Sequence, residues 1–166
     1  MPSPWRRSDA GIMSADRSRR DLACAVGRGL VAGAVGTTAM TVSSTLEMKV
    51  RRRKPSDVPA RAAARILGVE PVGEAERRRF SDLVHWTYGT MWGAARGLLD
   101  AAGISGRRAA ALHLSALWGS ELVTLPALRI VPPVWRWGPR EVAIDAWHHL
   151  VYAAGTNAAY ELLDRE

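Results

Sequence analysis

The stretch DAWHHLVYAAGTNAAYE, residues 145–161, decides how the rest of the chain is read. On a 3.6-residue period Asp145, His148, His149, Tyr152, Thr156 and Tyr160 fall on one face, while Leu150, Val151, Ala154, Ala158 and Leu162 point elsewhere. An apolar helix therefore carries a narrow polar seam. An unpaired buried acid or imidazole is costly, so neighbouring helices, water or an ion must satisfy that seam. A helix of this kind belongs inside a bundle, and the expected fold class is all-α.

Working outward from this helix, residues 128–141 read LRIVPPVWRWGPRE, a loop in which Pro132-Pro133 forbids regular helix and Trp135 and Trp137 flank Arg136. Before it, residues 107–125 form a helix that Pro126 is expected to end, with His113, Leu117, Ser120 and Thr124 along one face and Glu121 beside them. A longer helix over residues 74–102 contains HWTYGTMWGAARG, in which Gly89, Gly93 and Gly97 continue the line of His85 every four residues. Asp82, Tyr88, Trp92 and Arg96 lie on or beside that face. A short amphipathic helix over residues 59–67 carries Arg61 and Arg65 on its polar side.

Residues 29–46, GLVAGAVGTTAMTVSSTL, contain no charge and meet the length criterion for a membrane-spanning helix. Gly29, Gly33, Gly36 and Thr37 lie near one face, the small-residue pattern that lets two helices approach closely, and the glycine face of residues 89–97 is its simplest partner. Glu47 closes this helix and the basic run at residues 49–54 stops it. Residues 1–21 are polar, Arg-rich and aperiodic and read as disordered, which leaves residues 22–166 as a single helical domain. Met13 is a candidate start.

The composition narrows the function class. Seven Trp stand against one Phe in 166 residues, a balance that suits a membrane interface better than a soluble core. The formal charge of +7 is concentrated in residues 6–20 and 49–79. Zinc-finger spacing, an aromatic RNA-binding motif and a compact recognition helix are all missing, so nucleic acid is not an expected partner. The single cysteine, Cys24, excludes an internal disulfide and a cysteine-built zinc site. No nucleophile, metalloprotease, Walker or dinucleotide motif is present, and no catalytic residue is assigned.

Ionisable groups inside such helices ask for a use, and three are open. His85, His113, Glu121, Asp145, His148 and His149 can form a seam that relays protons or ions. Asp145 and His148, three residues apart with His149 next, can present ligands to a divalent metal, with His113 or Glu121 completing the shell. One D-x-x-H copy is less than the two E-x-x-H copies and further carboxylates of the di-iron bundles. The third use is pairing that only fixes helix register, Arg96 with Glu121 or Asp145 and the imidazoles with carbonyls or Tyr hydroxyls.

GAVGTTAM, the PSDVPA turn, HWTYGTMWGAARGLL, LPAL followed by PP, and DAWHHLVYA together resemble a group of small actinobacterial membrane proteins of unknown function and, more loosely, the YagU-type inner-membrane proteins. The resemblance covers roughly residues 29–163 and implies a multi-helix protein of the bacterial inner membrane; it carries no site residues. The expectation is a membrane bundle of four long helices plus a short surface helix, with the lipid bilayer and a homo-oligomer as partners. Its role is structural or ion-related. Charge between the first two helices favours a cytoplasmic loop there and both termini outside. The competing class is a soluble helical-bundle binding module with a His-lined ligand or metal pocket.

Overall fold

The computed structural model of the chain describes the backbone of residues 5–165 and the side chains of residues 19–165. It is all-helical: α1 (Trp5–Arg51), α2 (Val58–Leu67), α3 (Glu74–Ala101), α4 (Gly106–Ala127) and α5 (Pro139–Leu163), with a single 3-10 turn at Val134–Arg136. No strand occurs among the described residues. Four long helices and one short one are what the hydrophobic periods called for. The segment 1–21, expected to be disordered, lies mostly outside the residues whose side chains are described, and α1 is assigned from Trp5.

Helix α1 is the central element, packed along α3 on one side and α5 on another. Glycine makes the first contact close. A methyl group built on Gly33 would lie 2.8 Å from Gly93 Cα and 2.6 Å from the Thr90 carbonyl oxygen, and one built on Gly93 would collide with the backbone of Gly29 and Gly33. Gly97 meets the backbone of Ala25 in the same way, so α1 and α3 run antiparallel with their main chains in contact. Gly36 serves α5 instead, where a Cβ would strike Thr156 and the Tyr152 carbonyl oxygen. The two glycine faces are thus consumed within one chain.

The helix ends explain where the periodicity misplaced boundaries. Helix α4 does not stop at Leu125; it runs to Ala127, two residues further than Pro126 suggested. It is closed instead by Arg129 in the left-handed region (φ 56°), with Ile130 N–H donating to the Leu125 carbonyl and Arg129 N–H to that of Pro126. Helix α1 ends likewise at Arg52 (φ 53°), with Arg53 N–H donating to the Met48 carbonyl. Arginine is an unusual residue for this conformation, and nothing in its side chain announces it.

Polar side chains are prominent in the interior, beside small apolar residues such as Ala25, Ala32, Ala109 and Ala153. The largest fully buried side chains are Arg96, Tyr152, Tyr160, His113, Thr37 and Thr156. Across residues 29–46, 83–99, 109–127 and 142–160 every exposed position is uncharged, among them Val35, Met91, Ala116, Val123, Trp147 and Leu150. The charged residues within these segments are Arg96, Glu121 and Asp145, and each is held by a neighbouring helix or turn. By length and hydropathy, one helix segment among the described residues, Arg19–Arg51, is long and apolar enough to cross a membrane.

Candidate functional site

The seam expected on residues 145–161 is buried: His148, His149, Tyr152, Ala153, Thr156, Asn157 and Tyr160 form the inner face of α5. It does not gather the histidines into one pocket. Antiparallel packing spreads them over two clusters at different depths, and His148 and His149, about 100° apart around the helix, face different neighbours.

Nearer the α1 C-terminus, His149 is the centre. Its Nδ1 lies 2.8 Å from the Asp145 carbonyl oxygen, which can only accept, so Nδ1 carries a proton. Its Nε2 lies 2.8 Å from Glu121 Oε2 on α4. That second contact also needs a proton, held either by an imidazolium against a carboxylate or by a carboxyl group against a neutral imidazole. The pair therefore keeps one proton more than a neutral imidazole beside a carboxylate would. Asp145 sits over the same ring, 3.7 Å from Nδ1, and accepts a 2.8 Å bond from Trp118 Nε1.

His148 turns to α1. Its Nδ1 shares a 2.9 Å hydrogen bond with the Ser43 hydroxyl, and its buried Nε2 stands 3.9 Å from Glu47 Oε2. Glu47 is itself held by Arg51 and by two bonds from Arg53 Nε. His85 on α3 also meets α1: the Thr41 hydroxyl donates to the Thr37 carbonyl, so the 2.9 Å contact is a donation from His85 Nε2 to Thr41 Oγ1. Between the clusters, the Tyr152 hydroxyl donates to the Gly89 carbonyl at 2.5 Å.

The second cluster is built on Arg96, 1 % exposed. Its Nε donates to Asn157 Oδ1 at 2.7 Å, and its guanidinium lies 4.2 Å from the Tyr160 ring centroid. The nearest carboxylate is Asp100, 3.7 Å from Nη1. Asn157 also donates to the Ala153 carbonyl and faces His113 Nδ1 at 3.5 Å, while His113 Nε2 donates to the Trp92 carbonyl at 3.0 Å. That leaves His113 neutral with its proton on Nε2. Arg28 and Asp164 pair at 2.6 Å beyond Tyr160.

Three sequence expectations are corrected here. Arg96 pairs with neither Glu121 nor Asp145; it sits at the opposite end of the bundle from both and is held by Asn157. Asp145, His148 and His149 do not converge, and among the described residues no group of three or more His, Cys, Asp or Glu is placed to hold a metal. The pocket foreseen for the soluble alternative does not unite His113, His148 and His149; of these, only His113 lines the groove between α3 and α4, whose remaining walls are Ala95, Leu98, Leu99, Leu112 and Ala116. Asn157, Trp118, Ser43 and Thr41 were missed. Thr41 continues the line of Gly29, Gly33 and Thr37 at every fourth residue, and Asn157 adjoins Thr156 on the seam, which are the signals the sequence offered for them.

Five buried polar atoms on or facing the α5 seam, His148 Nε2, Thr156 Oγ1, Tyr160 Oη, Arg96 Nη1 and Arg28 Nε, have no hydrogen-bond partner among the described residues. Groups of this kind in folded proteins are ordinarily met by ordered water. Compared with protein-family models, with curated proteins and with solved structures, the chain matches none.

Proposed function

We propose that the chain is an integral membrane protein, a bundle of four long helices in the bacterial inner membrane, whose part-buried His149–Glu121 pair is a proton-binding centre. One observation carries the reading: over a stretch of each long helix every exposed position is uncharged, while Arg96, His113, His148, His149 and Asn157 are buried. The four charge-free outer faces span 17 to 19 residues each, or roughly 25 to 29 Å at 1.5 Å per residue, close to the thickness of a bilayer's hydrocarbon core. A bundle dissolved in water would carry charge on the outer face of every helix.

Among the residues that lower the hydropathy of these segments, Arg96 in α3, His113 in α4, and His148, His149 and Asn157 in α5 are buried and do not face the surroundings. The exposed Trp86, Trp135 and Trp147 all lie toward the end where α1 terminates, as an interfacial belt requires. Lys49, Arg52 and Lys54 mark the same end, supporting a cytoplasmic placement for it.

Within that frame a His–carboxylate pair carrying a shared proton, with unpartnered hydroxyls further along α5, has the chemistry of a proton relay. Membranes from expressing cells, washed in alkaline carbonate, should retain the protein in the pellet; release would end the spanning account. Purified protein in vesicles with a trapped pH dye should dissipate an imposed pH gradient faster than empty vesicles, and Glu121→Gln should abolish the difference. If the native protein behaves like empty vesicles, the pair serves only to fix the α4–α5 register.

A further inference from the structure

We infer that the end of the bundle formed by the α1 C-terminus and α2 is a binding surface for anionic phospholipid headgroups. The inference rests on the membrane reading and names the lipid class that reading leaves open. Depth is the first argument. Lys49, Arg52 and Lys54 begin three residues beyond the charge-free segment of α1, about 5 Å further along at helical rise, which is headgroup level.

Charge is the second argument. Glu47 is already engaged by Arg51 and Arg53, and Asp57 lies 3.6 Å from Arg61. Lys49, Arg52, Lys54 and Arg65 are exposed and have no acidic partner among the described residues. Helix α2 supplies the third. Only Ala62 is buried in it, and it is tethered to this end by Arg61 Nη2 donating to the Ile130 carbonyl at 2.6 Å. Ile66 and Leu67, each 64 % exposed, point outward beside Arg65. Apolar side chains flanked by unpaired cations on a short helix at this depth match a leaflet that offers acyl chains and negative headgroups together. The acids that follow, Glu70, Glu74 and Glu76, are succeeded at once by Arg77, Arg78 and Arg79, so the cationic excess persists.

The test uses the full chain, purified and presented with equimolar phosphatidylglycerol and phosphatidylcholine, the retained lipids being counted by native mass spectrometry. The native protein should hold phosphatidylglycerol over phosphatidylcholine by about tenfold, on the scale of a few juxtamembrane cations. A variant combining K49Q, R52Q, K54Q and R65Q should fall to near parity, whereas Arg107→Gln with Arg108→Gln, at the other end, should keep the preference. Parity in the native protein, an unchanged ratio in the fourfold variant, or equal displacement by inorganic phosphate at the same concentration would each overturn the proposal. Vesicle flotation separates this from the reading beneath it. Protein that floats with both lipids but prefers neither contradicts the headgroup site alone; protein that floats with neither removes both.

Discussion

Gly93→Ala should destabilise the protein by about 3 kcal/mol, the upper part of the range for overpacking, although it adds a single methyl group. The reason is what that methyl meets: the carbonyl oxygen of Gly29 and the Cα and nitrogen of Gly33, all backbone. No rotamer change can clear the contact, so α1 and α3 must move apart along their whole crossing, and the bonds from His85 to Thr41 and from Tyr152 to Gly89 loosen with them. The control is the same substitution where the space is open. Gly119 has nothing within 4 Å of a built Cβ, and Gly119→Ala should be neutral or up to about 1 kcal/mol stabilising through helix propensity. Unfolding of the purified protein in mild detergent by added SDS would measure both. Equal effects at the two positions would contradict the close α1–α3 contact.

Glu121→Ala should cost about 2 kcal/mol, below the range for breaking a fully buried pair because Glu121 is only half-buried, while Glu121→Gln should cost about 1 kcal/mol by keeping a hydrogen-bonding group beside His149. His149 is almost wholly buried, with one ring nitrogen committed to the Asp145 carbonyl, so losing Glu121 strands the other. The same SDS titration reads the effect. A Glu121→Ala variant within about 0.5 kcal/mol of the native protein, inside the spread of neutral surface changes, would show that the pair contributes nothing to register and carries no bound proton of consequence.

Faces were legible in the sequence and depth was not. The 3.6-residue period placed Asp145, His148, His149, Tyr152, Thr156 and Tyr160 on one face of α5, and all but the half-buried Asp145 are buried there. The glycine spacing on α1 and α3 likewise identified the two surfaces that meet. What periodicity cannot give is how far one helix slides along another. Arg96 lies late in α3, and because α3 and α5 both run antiparallel to α1, and so parallel to each other, its depth matches Asn157 and Tyr160, late in α5, rather than Asp145 near its start. The same gap in information produced the metal reading. Asp145 and His148 share a helical face, but Ser43 draws His148 toward α1 while Trp118 draws Asp145 toward α4. Helix ends at Arg52 and Arg129 were hidden for a different reason, since a left-handed arginine is imposed by the closing hydrogen bonds and not by its own preference.

The central claim is that the outer faces of all four long helices meet lipid, and single-cysteine labelling tests it directly. With the exposed Cys24 replaced by Ser, Val35→Cys, Met91→Cys, Ala116→Cys and Leu150→Cys place one thiol on the outer face of each long helix, and Val72→Cys places one on the exposed connection before α3. Membranes opened so that both sides are accessible are treated with a charged, membrane-impermeant maleimide. Val72→Cys should label readily, and the four outer-face thiols should label only after SDS. Rapid labelling of all four in the intact membrane fraction, at the rate of Val72→Cys, would mean those faces are bathed in water and would contradict the membrane bundle.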